Sequence, residues 1–130
     1  MNKIEIKSNK FKNVIDDVTE KLHNHEWDES HKIIINSLSE NPDAPEPHNL
    51  LGLWYEFNKN YDLARKHYRA AYALDPTYKP ASVNLERVCT MFSNRNVPAD
   101  FGEVIESNEK DNSSFIGKSK KKEMIKNAGN

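Results

Sequence analysis

Several positions in this 130-residue chain are echoed 34 residues later. Trp27-Asp28 returns as Tyr61-Asp62, Pro42 as Pro76, Ser30 as Ala64, Ile34 as Tyr68 and Ser37 as Ala71. A fixed period of this length marks helix–turn–helix units stacked one on the next. One such unit cannot bury its apolar face alone, so the period implies a short all-α helical repeat, an α-solenoid in which each unit packs on its neighbours.

The helices follow from apolar spacing. Phe11, Val14, Ile15, Val18 and Leu22 share one helical face. Ser8 or Asn9 is the expected cap, and His23-Asn24-His25 the end. Ile4-Glu5-Ile6 alternates like a strand but is short and partnerless, so 1–7 reads as an extended arm. A second helix fits Asp28 to Ser39, with Asp28 as its N-cap, and the prolines at 42 and 45 break the chain after it. A third runs from Pro45 or Glu46 to Phe57, a fourth from Tyr61 to Leu74, and a fifth from Pro80 to Phe92. Five helices thus make a folded body over 8–94.

Leu, Ile, Val and Phe number only 28, little above the level of disordered chains, but most lie between Phe11 and Phe92. The remainder, 95–130, reads as a mostly flexible tail, acidic and then basic. Within it 98–105 could form a short helix or a docked segment anchored by Phe101, Val104 and Ile105.

Across Pro45–Tyr78, Leu51-Gly52, Tyr55, Ala64, Tyr68, Ala71 and Pro76 fall at the offsets of a tetratricopeptide repeat, and this unit resembles that family. Only His48 departs, at the first aromatic position. Gly52 and Ala64 are small where two helices approach, Tyr55 and Tyr68 can wedge between helices, and Ala71 admits the next helix. The unit 11–44 is degenerate: Val18 stands for Gly, and Ser30 and Ser37 for Ala, so its first helix should pack less tightly. Residues 79–94 resemble a terminal capping helix. Two units and a cap are marginal where about three units are usual. Dimerisation, or docking of 97–107, could supply the missing burial.

The resemblance implies a groove lined by the first helix of each unit, which binds a peptide or a partner helix. Matching positions make Asn49, Leu50, Leu53, Phe57, Asn84 and Arg87 the candidate partner-binding residues. Leu50, Leu53 and Phe57 are groove candidates because Leu51, Trp54 and Tyr55 already supply a core face, whereas Ile15 and Leu22 read as core. The family's carboxylate clamp is missing: Ile15, Thr19, Leu50 and Pro80 occupy its positions, and only Asn84 is useful there. The expected function is a non-catalytic adapter. A small chaperone for an assembling or secreted client is the alternative.

No chemistry competes with that expectation. His23, His25, His31, His48 and His67 show no metal-ligand spacing and read as surface residues. Cys89 reads as a buried, inert thiol. No phosphate-binding, dinucleotide-binding or nucleophile-elbow motif occurs, so no catalytic residue, metal or cofactor is expected. The formal net charge of -1 offers no general field for nucleic acid. Lys118, Lys120, Lys121 and Lys122 form the one basic cluster, through which nucleic acid or an anionic membrane could be touched. The absence of a signal or spanning segment gives a cytoplasmic expectation.

Overall fold

A computed structural model describes residues 3–90 and 97–103, with side chains from Lys10 onward. Five helices follow one another: α1 (Lys3–His23), α2 (Trp27–Glu40), α3 (Pro45–Phe57), α4 (Tyr61–Leu74) and α5 (Lys79–Cys89). The 34-residue period is visible in the turns themselves. Glu26 N–H donates to the Lys21 carbonyl and Asn60 N–H to that of Tyr55, both at 2.9 Å. Between them His25 and Lys59 adopt left-handed φ values of 60° and 64°. This is a Schellman-type ending, used twice with a non-glycine residue at its left-handed position. At the other turns Asn41 N–H donates to Ser37 and Asp75 N–H to Ala71, both at 3.0 Å.

Consecutive helices pack together. α1 also touches α3, and α3 touches α5, so the odd-numbered helices form one layer and α2 and α4 the other. Between the layers lie Val18, Leu22, Ile34, Leu50, Leu51, Leu53, Ala64 and Tyr68. The α3–α4 contact is the most extensive, because Gly52 lets the Tyr68 ring lie on the α3 backbone. The α1–α2 contact is smaller, as Val18 in the glycine's place predicts. Ser30 fits the small-residue position by turning its buried hydroxyl back to the Glu26 carbonyl at 2.7 Å.

Four expectations are corrected. The segment read as an extended arm over 1–7 is helical from Lys3. It contains no Gly or Pro, and extending a nucleated helix costs less than starting one, so Ser8 and Asn9 are crossed rather than used as caps. α5 ends at Cys89 instead of reaching Phe92, where Thr90 turns its hydroxyl onto the Glu86 carbonyl. Cys89 is exposed, because Ala81, Asn84 and Val88 make the buried stripe and the next residue points about 100° away. α2 begins one residue early, with Glu26 rather than Asp28 at its N-cap. Among the described residues no helix is long and apolar enough to cross a membrane.

Candidate peptide-binding groove

The layer formed by α1, α3 and α5 is not empty. Residues 97–103 run across it without helical structure, so this part of the expected flexible tail is docked. The anchor is Phe101, only 7% exposed and joined to the main core. Its ring lies 5.6 Å from that of His23 on α1 and 6.0 Å from that of Phe57 on α3. His23 is held in turn, since its Nδ1 meets the Thr19 carbonyl at 2.9 Å and must donate there. Val104, Ile105 and the Lys118, Lys120, Lys121 and Lys122 cluster lie outside the described residues.

Two buried asparagines hold the main chain beside that anchor. Asn84 Nδ2 donates to the Asp100 carbonyl at 2.8 Å, and Asn84 Oδ1 accepts the Asp100 N–H at 2.8 Å. Asn49 Nδ2 donates to the same carbonyl at 3.1 Å. The two amides are themselves joined, Asn84 Nδ2 donating to Asn49 Oδ1 at 2.8 Å. Arg87 Nη1 completes the set, donating to Asn84 Oδ1 at 2.9 Å and to the Pro98 carbonyl at 3.2 Å. Asn84 therefore uses both amide hydrogens and both oxygen lone pairs, the full capacity of the side chain. Its orientation is unambiguous, because Arg87 and a backbone N–H can only donate.

Arg87 is aimed by Glu56. Its Nε and Nη2 grip the two carboxylate oxygens as a fork, and Tyr68 Oη donates to Glu56 Oε1 at 2.6 Å. Burial and the neighbouring Glu56 carboxylate push the Tyr68 hydroxyl well above its ordinary pKa, so it stays a donor. A chain of hydrogen bonds thus runs from the α3–α4 interface to the docked backbone. At the far end of the segment Gly102 takes φ +82°, and a Cβ there would meet the Tyr78 hydroxyl at 2.2 Å. Asp100 Oδ1 accepts the Gly102 N–H at 3.0 Å and sets this turn.

Of the expected partner-binding residues, Asn49, Asn84 and Arg87 bond to polypeptide main chain here, and Phe57 flanks Phe101. Leu50 and Leu53 are completely buried in the core with Ile15 and Leu22. Glu56, Tyr78 and Gly102 complete the site. Glu56 had a sequence signal, as an acidic residue at an inner position of α3, 31 residues before Arg87. Tyr78 and Gly102 had none.

The histidines are not all plain surface residues. His48 on α3 and His67 on α4 face each other with Nδ1 atoms 3.3 Å apart, and Tyr55 stacks on His67 with ring centroids 5.5 Å apart. One ring must donate and the other accept, so two protonated rings cannot keep this contact. Burial lowers both pKa values below the usual 6.5, and for His67 the adjoining ring adds to the effect. Lowered values mean stability fully present above pH 6.5 and lost as pH falls through them. Thermal melts should therefore show no contribution from this pair between about pH 7 and 9 and should shift to lower temperature on acidification below about 6.5. Replacing both rings by glutamine should flatten that dependence; an unaltered acid shift would refute the assignment. Among the described residues no three His, Cys, Asp or Glu side chains gather as a metal site.

Residues 45–78 match the tetratricopeptide repeat family. No curated relative and no solved structure matches the chain. The matched unit comprises α3 and α4, the pair locked by Gly52 and Tyr68, and the helices on either side stack on it in the same two layers. Repeats of this family generally serve protein–protein interaction rather than catalysis. Residues 45–78 form one full tetratricopeptide repeat, and the described residues build a short all-α array around it.

Proposed function

We propose that the protein is a non-catalytic adapter that binds a non-helical segment of a protein partner on the α1–α3–α5 layer. One observation carries this reading: Asn49, Asn84 and Arg87 meet the backbone of residues 98–100 with paired donors and acceptors. A partner helix suits these groups poorly. Its main-chain N–H and C=O groups are spent on one another, so Asn84 could not serve both sides of one residue. An irregular peptide presents both, and its backbone bonds are indifferent to sequence.

The test is recovery of partners from source lysate with the full chain beside an Asn49→Ala/Asn84→Ala variant that stays helical by circular dichroism. A protein partner recovered by the wild type and reduced at least about tenfold by the double change is the expected result, since three lost hydrogen bonds to the bound backbone are worth at least that much. Retention of the partner by the variant would sink the groove as the binding site. So would loss of the partner only on deleting 115–130, which would transfer the function to the basic tail.

A further inference from the structure

The groove's present occupant specifies what a competing one must look like. Val97, Pro98 and Glu103 are exposed, and Phe101 is the only buried residue of the described segment. The bonds made by Asn49, Asn84 and Arg87 go to main chain and would accept almost any residue there. Selectivity is therefore concentrated at three consecutive positions. The socket between His23 and Phe57 takes an aromatic ring. The next residue needs positive φ and has no room for a Cβ over Tyr78, so it must be glycine. The preceding residue must be short and able to accept the glycine N–H, as Asp100 does.

We infer that the groove is a receptor for an Asp-Phe-Gly segment of a partner protein, and that residues 97–103 are a resident copy of that ligand which the partner displaces. This inference rests on the groove-binding reading above and adds the ligand class and the gate. None of the bonds that hold the segment depends on its covalent continuity with α5, so a peptide of the same chemistry meets the same donors, acceptors and socket. Tethering makes the resident copy a strong competitor, because an attached ligand acts at an effective concentration on the order of millimolar. The groove's affinity for a free peptide falls in proportion to the fraction of molecules in which it is open. Release of the resident segment should then raise the affinity without touching any groove residue.

The probe is a fluorescein-labelled peptide copying residues 96–104, titrated by anisotropy against full-length chains. Phe101→Ser removes the resident anchor, and Gly102→Val expels the segment by a separate route. The labelled peptide should bind both variants at least about tenfold more tightly than the wild type, the factor set by closure of nine grooves in ten. Adding Asn84→Ala to Phe101→Ser, or replacing the peptide's Phe by Ala, should abolish that binding.

Equal affinity for wild type and variants would overturn the gate while leaving a groove receptor intact. Failure of the peptide to bind either variant, with helicity unchanged, would overturn the ligand class; groove binding would still stand or fall by the lysate comparison. Collapse of helicity in both variants would make 97–103 a fixed part of the core and overturn the inference. A wild-type dimer in sedimentation that both variants abolish would make a second copy the occupant, and would overturn the assignment to a partner protein.

Discussion

Arg87→Ala is expected to lower the free energy of unfolding by about 3 kcal/mol, the lower end of what is lost when a buried ion pair is broken from one side. The low end applies because Glu56 is one-fifth exposed and keeps the Tyr68 hydroxyl, whereas the Arg87 side chain is only 8% exposed. The loss has three parts. Glu56 is left charged without its fork, Asn84 loses one of its four partners, and the Pro98 carbonyl loses its donor. Arg87→Lys should recover only part of it, because one ammonium cannot serve Glu56, Asn84 and Pro98 in the planar arrangement of a guanidinium. Urea denaturation followed by far-ultraviolet circular dichroism measures the difference. A loss below about 1 kcal/mol would place the pair among ordinary surface ion pairs and refute its structural role.

Gly52→Leu should cost about 3 kcal/mol or more, at the upper end for overpacking of a filled core. Even alanine would place its Cβ 2.5 Å and 2.6 Å from Cε1 and Cδ1 of the Tyr68 ring. That ring has nowhere to go, because Tyr68 is fully buried and its hydroxyl is tied to Glu56. Gly52→Ala should therefore destabilise as well, although alanine in place of glycine within a helix ordinarily gains about 1 kcal/mol. Thermal melts decide the sign. Tyr68→Ala is costly alone, but combined with Gly52→Leu the two losses should fall short of additive by about 0.5–3 kcal/mol, the range for residues in contact. Strict additivity would show that the two do not share the space.

The repeat and, to within one residue, the four later helix starts were legible because they are local. Proline, small-residue and aromatic positions recur at a fixed interval, and each has a reason within its own unit. The site was legible only in part. Asn49, Asn84 and Arg87 are polar residues at inner positions, and pattern alone marks them. Leu50 and Leu53 share their helix face closely enough to look alike in sequence, yet full burial removes both from the surface. The docking of 97–103 depends on contacts between residues 11 to 78 positions apart, such as Arg87 with Pro98, Asp100 with Asn84 and Asn49, and Phe101 with His23. No periodicity records these. The pairing of His48 with His67 likewise joins two helices and has no signature along either.

The hydrogen-bond chain from Tyr68 to Asp100 also bears on how such a protein can change through time. Tyr68, Glu56, Arg87, Asn84 and Asn49 each satisfy the next, so altering any one strands a buried polar group on its neighbour. Single steps at these five positions are penalised, and drift there must proceed by paired replacements. Val97, Pro98 and Glu103 stand in solvent and are free to vary one at a time. A lineage descended from this chain would therefore diversify at the ends of the docked segment first, while its backbone-gripping centre changed all together or stayed as it is.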